Sequence, residues 1–300
     1  MNEFFHELGH MLWHSLSHAV IDTLKLVPFL FLTYLLMEFL EHKTGDATER
    51  RLRSAGKWGP LLGGTLGMLP QCGFSAAASG LYTGRIITTG TLIAVYLSTS
   101  DEMLPILISS GASVGQILKL LGSKVVIGVI AGFCVDGVSR LWRRNHPVRE
   151  EAQFEDLCER EKCHCGDRFV LSALKHTVYI TLFLLIFTFL MGFGVEIVGE
   201  DRISSLVLNR PVLGSVLAAV VGLIPNCASS VVLTSLFMEG VISAGAMMAG
   251  LLVNAGIGLA ILFRNNRPLK DSFRVVLILV AISVLCGILI DLTPLKIFLS

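Results

Sequence analysis

Two short turns carry the clearest chemistry in this sequence. Leu-Pro-Gln-Cys-Gly-Phe-Ser occupies 69–75, and Ile-Pro-Asn-Cys-Ala-Ser-Ser occupies 224–230, which is 155 residues further on. A proline inside an apolar segment removes a backbone donor and favours a break in the helix. Each break presents an amide oxygen and a thiol, a hard and a soft ligand that together suit a transition metal or a thiophilic metalloid. The alternative is that both turns are kinks whose cysteines only pack. The candidate ligands are Gln71, Cys72, Asn226 and Cys227.

A polar stretch also interrupts the apolar segment that follows each turn. It reads Ser-Thr-Ser-Asp-Glu at 98–102, and at the same offset the second half has Asn254. Acidic side chains inside an apolar segment are unfavourable unless paired or hydrated, and they mark ion pathways by default. The two acids would coordinate a cation or accept protons; the alternative is a short outer loop in which they cap a helix. The residues predicted to complete the substrate site are Ser98, Thr99, Asp101, Glu102 and Asn254.

The first apolar segment holds further charged residues around Pro28. Asp22 and Lys25 lie on one helical face, where they can simply neutralise each other. Glu38 lies near the inner end of the segment, where it can be solvated. We consider Asp22 and Glu38 as coupling or pathway residues, with a structural ion pair as the alternative for Asp22.

Two peripheral clusters have residue types that bind metals. Four histidines recur at four-residue steps near the amino terminus, and neighbours at this spacing can share an ion on a helix. Thiols and an imidazole in the loop 142–168 indicate a zinc-like or soft-metal site. The alternatives are an amphipathic interfacial helix and a solvated linker. The residues are His6, His10, His14 and His18, and Cys158, Cys163, His164 and Cys165.

An enzyme is not predicted. His6-Glu7-Leu8-Gly9-His10 matches the short zinc-protease pattern, but no catalytic domain accompanies it, so a membrane metallopeptidase or metal sensor is only a third reading. No phosphate loop, nucleophile elbow or catalytic triad is found. The sequence therefore predicts no required cofactor and no ATP-driven pumping by this chain alone.

Composition places these motifs in a membrane. Of the 300 residues, 53% are apolar and 16% are charged, where soluble domains carry about 25% charge. Segments long enough to cross about 30 Å of hydrocarbon recur along the chain. They are predicted at about 19–41, 59–83, 86–110, 115–141, 169–195, 211–237, 241–263 and 272–293.

Loop charges predict the topology. The loops 42–57, 142–168 and 264–274 are basic, so we assign them to the cytoplasmic side and both chain termini to the outside of the inner membrane. Parity then requires one segment per half to be a re-entrant hairpin or to be broken, and the Pro-containing segments are the natural candidates. The sequence thus predicts an all-α polytopic membrane protein with two inverted-topology repeats and about ten membrane segments. The first repeat is 1–141, the cytoplasmic linker 142–168 and the second repeat 169–300.

The chain resembles the bacterial family of ten-helix heavy-metal exporters, whose members are also described as arsenic efflux proteins or manganese transporters. The resemblance rests on Asp22 through Leu30 and on Glu38, on the two Pro-amide-Cys turns, and on the polar stretch 98–102. It implies ten helices, which agrees with the parity count if each hairpin arm is counted separately.

These observations lead to a functional prediction. We expect a secondary transporter that exports a divalent cation such as Mn²⁺ or Zn²⁺, or arsenite, by alternating access at a midplane site. The alternative is a carrier of a small organic solute or anion, because the amino termini of broken helices bind anions. The expected partners are the lipid bilayer and a small inorganic ion, with a second copy of the chain as a further candidate and no nucleic acid.

Overall fold

The described part of the chain is helical and contains no strand. The structure, a computed structural model, describes residues 58–69, 72–100, 103–109, 111–145, 169–198, 211–225, 227–238, 240–266 and 268–293, with single residues between 13 and 56. In chain order the helices are α1 (Gly59–Gly67), α2 (Cys72–Thr83), α3 (Thr89–Ser98), α4 (Met103–Ser109), α5 (Val114–Asn145), α6 (Phe169–Val198), α7 (Pro211–Gly222), α8 (Cys227–Met238), α9 (Ala244–Val253), α10 (Ile257–Asn265) and α11 (Leu269–Leu292).

The helices α7 to α11 repeat α1 to α5 at the offset seen in the sequence. Helices α2 and α8 begin at Cys72 and Cys227, while α3 and α9 end at Ser98 and Val253. In both sets the first helix packs against the third, and the third packs against the fifth. The internal similarity therefore extends from the sequence to the order and packing of the helices.

Equivalent carboxylates hold the amino ends of α3 and α9. The backbone N–H of Gly90 donates to Asp136 Oδ1, and that of Gly245 donates to Asp291 Oδ1, both at 2.8 Å. The N-cap hydroxyl of each helix donates to the other oxygen of the same carboxylate, at 2.7 and 2.6 Å. A helix amino terminus has unpaired N–H groups and a partial positive charge, so a buried carboxylate stabilises it. These contacts fix α3 on α5 and α9 on α11.

The first hairpin is defined by close glycine packing. A Cβ atom at Gly63 would lie 3.0 Å from Val95, and one at Gly67 would collide with Ser98, so α1 runs parallel to α3. Small residues allow such close helix approach in membranes. Helices α2 and α3 run antiparallel, since a short turn joins them and Tyr82 OH lies 3.3 Å from Thr89 Oγ1. The chain consequently reverses between α1 and α2, where Pro70 predicts a break.

The apolar segments 86–110 and 241–263 are each divided into two helices. Helix α3 ends at Ser98 before α4 begins at Met103, and α9 ends at Val253 before α10 begins at Ile257. In the second break Gly256 has a φ of +52°, a backbone conformation that glycine adopts without steric penalty. The Asn254 Oδ1 accepts a hydrogen bond of 2.9 Å from the Gly256 N–H, which stabilises this turn.

The short helices α3 and α9 approach the centre from opposite ends of α11. The amino end of α3 lies near the start of α11, because Tyr82 OH contacts Thr89 and also donates to Asp271 at 2.8 Å. The amino end of α9 is held by Asp291, at the other end of α11. The roughly 20 residues between the two aspartates correspond to about 30 Å of helix. The inverted orientation of the two halves relative to a bilayer stays a prediction.

Three helical stretches among the described residues are long and apolar enough to cross a membrane, namely Val114–Leu141, Ala244–Asn265 and Leu269–Leu292. Shorter apolar helices include Thr89–Ser98, Val212–Gly222 and Ser229–Met238. The outward faces of α5 and α11 carry exposed leucines and valines, as expected for surfaces in contact with lipid chains.

The first segment of each half packs against the same core. Leu30, from a segment described as helical at single positions between 13 and 35, is buried in a cluster with Ile180 and Leu184 of α6 and with Ile257 and Ile261 of α10. This placement agrees with the predicted first apolar segment.

Candidate functional site

Buried polar side chains gather where the two breaks meet. Each of them is at most 4% exposed. We call this group the central polar cluster, and its members are Thr99, Ser100, Lys124, Ser229, Ser230 and Asn254. Polar groups with so little exposure require hydrogen-bond partners, so their contacts define the site.

Lys124 of α5 joins the carboxyl ends of α3 and α9. Its Nζ donates a hydrogen bond to the Thr99 carbonyl and another, of 2.9 Å, to the Leu251 carbonyl. The last carbonyls of a helix have no partner within the helix and carry a partial negative charge. One ammonium group therefore satisfies carbonyls from both halves of the chain.

Each break is also tied to the hairpin of its own half. In the first half, Ser100 Oγ donates to the Met68 carbonyl at 2.7 Å, just after α1 ends. In the second half, Asn254 Nδ2 donates to Ser229 Oγ at 3.2 Å, in the first turn of α8. Met68 and Ser229, which flank the two Pro-containing turns in the sequence, thus contact the two breaks.

A void of about 10 Å³ lies between Thr99, Ser100, Met103 and Lys124 of the first half and Ser230, Leu251 and Asn254 of the second. A single water molecule needs about 10–15 Å³ measured in this way. The void is too small for a hydrated metal ion or for arsenite, so neither fits between these residues of the two halves as they are packed here.

The described atoms of the cluster are hydroxyls, an amide, backbone carbonyls and an ammonium group. This set hydrogen-bonds to a hydroxylated or anionic species better than it ligates a bare cation. No group of three His, Cys, Asp or Glu side chains close enough to hold a metal is found among the described residues. A substrate at this place would be recognised chiefly by hydrogen bonds.

The described residues that the sequence predicted for the site differ in what they contribute to it. The Asn254 side chain is part of the central polar cluster. Thr99 contributes its carbonyl, because its hydroxyl donates to the Val95 carbonyl at 2.7 Å. The Ser98 hydroxyl donates to carbonyls of its own helix at 2.8 and 3.0 Å, so it supports α3 and not the void.

The other predicted residues lie outside what the structure describes. Cys72 and Cys227 begin α2 and α8, but their side chains are outside the described atoms. Outside the described residues are also Gln71, Asp101, Glu102, Asn226, Asp22, Glu38, His6, His10, His14, His18, Cys158, Cys163, His164 and Cys165. Their roles stay predictions.

The sequence carries a signal for Lys124 that motif spacing does not show. Lys124 is the lysine that opens the apolar stretch Val125–Ala131, and an ionisable residue at membrane depth is a functional candidate by default. Ser229 and Ser230 are visible in the sequence as part of the second turn, beside the amide and the thiol. Ser230 lines the void because the two serines open α8 directly behind that turn.

A second cluster links the two halves at one end of the bundle. Asp271 Oδ2 accepts hydrogen bonds from Tyr82 OH at 2.8 Å and from Asn266 Nδ2 at 2.9 Å, and Arg85 Nη1 lies 3.5 Å from it. We call these four residues the inner-end cluster, after the side of the membrane that the sequence predicts for the basic loop 264–274. Arg85 follows α2 and Asp271 lies in the first turn of α11, so their contact brings these two helix ends to the same end of the bundle. The corresponding positions at the other end, Phe237 among them, have no equivalent charges.

An open cavity of about 570 Å³ lies beside the bundle, lined by Phe183, Phe187, Phe263, Arg264 and Pro225 among others. The Arg264 guanidinium stacks 4.5 Å above the Phe183 ring and donates to the Tyr179 carbonyl at 3.2 Å. The lining is mainly aromatic and aliphatic, so it offers little to bind an inorganic ion.

Asn254 gives a direct test of the break that it stabilises. We expect Asn254→Ala to lower the free energy of unfolding by about 1–3 kcal/mol, because the buried Gly256 N–H loses its acceptor. Ser229→Ala keeps this acceptor and removes the hydroxyl that the Asn254 Nδ2 contacts, so its effect should be smaller. Thermal unfolding in detergent measures both, and equal effects of the two substitutions would contradict the assigned role.

The comparison with known families decides the class of the protein. Residues 8–184, more than half of the chain, match a family model described as "Putative, 10TM heavy-metal exporter". The chain belongs to this family. Neither a curated protein nor a solved structure matches it. The matched range contains the first hairpin, Lys124 and the start of α6, which places half of the central polar cluster inside the family region.

Membership in this exporter family, together with the apolar helices, makes the chain a multi-pass membrane protein of a transporter class. The family description gives ten membrane-spanning segments, in agreement with the parity argument from the sequence. It names heavy metals as the class of substrate and leaves the individual metal open.

Proposed function

We propose that this chain is a secondary transporter that exports a metalloid in a hydroxylated form, such as arsenite, through the central polar cluster by alternating access. The observation that carries the proposal is the meeting of two broken helices at Lys124, one from each half of the chain. Broken helices that meet between two repeats form the substrate site in many transporters.

The contacts between the halves support alternating access. The central cluster and the inner-end cluster both consist of residues from the two halves, and the void in the central cluster has room for about one water molecule. A substrate therefore reaches the cluster only if the halves separate on one side. Parting at the inner end requires the contacts of Tyr82 and Arg85 with Asp271 to break.

The hydrogen bonds of Lys124 support a metalloid over a bare divalent cation. The Lys124 Nζ binds the Thr99 and Leu251 carbonyls, so these oxygens are not free to ligate a metal ion, whereas arsenite is an uncharged trihydroxide at neutral pH. Its hydroxyl groups match the hydroxyls of Ser100 and Ser230 and the amide of Asn254. Cys72 and Cys227, at the starts of α2 and α8, would supply thiolate ligands for arsenic.

The two cysteines give the sharpest test of this substrate. We expect Cys72→Ser/Cys227→Ser to reduce arsenite transport about 100-fold, if each lost ligand contributes about 1.4 kcal/mol. The measurement is arsenite flux into proteoliposomes that contain the purified chain. The double substitution Cys134→Ser/Cys286→Ser is the matched control, because these cysteines lie on α5 and α11 outside the cluster. Unchanged arsenite flux in the first variant would rule out thiol ligation.

A small anion is the second candidate substrate. Lys124 is a buried cation, and Ser229 and Ser230 lie in the first turn of α8, where unpaired N–H groups favour negative charge. The acids at 101 and 102 weigh against it in the sequence. A flux panel of arsenite, Mn²⁺, Zn²⁺ and inorganic phosphate separates the candidates, and transport of Mn²⁺ alone would overturn the metalloid proposal.

A further inference from the structure

Lys124 occupies the kind of site in which transporters with broken helices hold a coupling cation. In such transporters, carbonyls of unwound backbone and of helix carboxyl ends coordinate the ion. Here the Thr99 carbonyl follows the end of α3 and the Leu251 carbonyl lies in the last turn of α9, and both accept hydrogen bonds from the Lys124 Nζ. We infer that Lys124 replaces the coupling cation, so that export is driven by protons that bind to and leave this amine. This inference rests on the proposed function.

The size of the void supports a lysine in place of a coupling cation. The space beside the Nζ measures about 10 Å³, so a hydrated alkali cation does not fit while the ammonium is in place. The lysine side chain is 1% exposed and is fixed at both carbonyls. A chain that carries its own cation at this position needs no sodium or potassium ion to hold the two helix ends together.

Protonation changes the strength of the link between the halves. The ammonium form makes charge-assisted hydrogen bonds to α3 of the first half and α9 of the second, which are about twice as strong as neutral ones. When Nζ gives up one proton it becomes a neutral amine, and that stabilisation is lost. The proton leaves to the cytoplasmic side as the inner end opens, and Nζ takes up one proton from the outside after the substrate has been released. One proton thus enters for each exported substrate molecule.

Among the described residues, the surroundings of the amine contain few other titratable groups. Of the residues that line the void, Lys124 is the titratable one, since those from α4, α8 and α9 and from the two breaks are Met, Ser, Thr, Leu and Asn. Asp136, also on α5, binds the amino end of α3 through the Gly90 N–H. Asp101 and Glu102 directly follow Ser100 in the sequence. Substitutions that remove their charge must be tested separately from the Lys124 variants.

The second half has no counterpart of this amine. The position equivalent to Lys124 in α11 is Leu279, which is fully buried. The repeat therefore supplies one coupling group per chain, and it also supplies a matched position at which a substitution changes packing without changing charge.

Accumulation of arsenite in proteoliposomes tests the inference. For an uncharged substrate and one proton, a pH gradient of one unit corresponds to about 1.4 kcal/mol and supports about tenfold accumulation. We expect this ratio for the unaltered chain in sodium-free buffer, with opposite proton movement reported by a trapped pH dye. Lys124→Met and Lys124→Arg should both give a ratio near one, because the first has no titratable group and arginine keeps its proton. Leu279→Met should keep the ratio of the unaltered chain.

The outcomes are distinguishable. If the unaltered chain moves neither arsenite, Mn²⁺ nor Zn²⁺ down a concentration gradient, the proposed function fails and the inference fails with it. If it moves arsenite but accumulation follows a sodium gradient and ignores pH, the function stands and the inference is overturned. Proton-driven accumulation by Lys124→Arg would also overturn it. Gel filtration identifies variants that do not fold. If Lys124→Met does not fold, the accumulation ratio of Lys124→Arg alone tests the inference.

Discussion

Replacing Gly245 by leucine removes nearly all folded protein. A Cβ atom at this position collides with the Gly287 carbonyl and comes within 2.6 Å of Asp291 Oδ1. The obstacle is backbone, so α9 must move away from α11 and the Gly245 N–H loses its carboxylate partner. The combined overpacking and lost hydrogen bonds should lower the free energy of unfolding by about 4 kcal/mol or more. The yield of monodisperse protein in gel filtration and its unfolding temperature measure the effect.

Gly122 provides the matched control. A Cβ atom at Gly122, also inside a long helix, meets nothing within 4 Å, so Gly122→Leu should leave yield and unfolding temperature nearly unchanged. Gly90→Leu repeats the first experiment in the other half, since a Cβ there collides with the Gly132 carbonyl. Normal folding of Gly245→Leu would show that α9 and α11 do not cross as closely as described.

On the proposed alternating access, Asp271→Asn should favour the form that is open at the inner end. The substitution removes the charge that Arg85 faces at 3.5 Å and weakens the hydrogen bonds from Tyr82 and Asn266. Hydrogen bonds to a charged group contribute about 1.5–3 kcal/mol, so the balance between closed and inward-open forms should shift about tenfold or more. A cysteine placed at Ser230, at the void, should then react about tenfold faster with a thiol reagent added from the cytoplasmic side.

The same chain with Ser230 intact gives the background from native cysteines. Lys270→Gln is the control for local charge, because Lys270 is an exposed neighbour of Asp271 in the first turn of α11. If Ser230→Cys chains are labelled at equal rates with and without Asp271→Asn, the inner-end cluster does not hold the halves together. Faster labelling from the outer side alone would place this cluster on the wrong side of the membrane.

Local sequence signals predicted the features that depend on neighbouring residues. Pro70 and Pro225 each lie between two helices, as the loss of a backbone donor requires. The offset between these prolines also relates the helices and the two capping carboxylates, Asp136 and Asp291. The 155-residue offset seen in the sequence therefore also relates equivalent helices and contacts in the fold.

Features that depend on contacts distant in sequence were not predicted. The break at Asn254 lies in a segment as apolar as a continuous span, and it is stabilised by a serine of another helix, Ser229. Lys124 was not predicted as a site residue because its acceptors, at residues 99 and 251, are far away along the chain. Such residues reveal their roles only when the helices that carry the partner groups have been placed.

The small size of the central void has a consequence for the cell that houses the protein. An energised membrane stores about 2.3 kcal/mol per elementary charge for each 100 mV, and any continuous file of water across it would dissipate that store. Between Ser230 and Lys124 there is room for about one water molecule, so the described residues of the central polar cluster leave no space for such a file. On the proposed function, this packing would let an idle transporter stay in the membrane without draining the voltage.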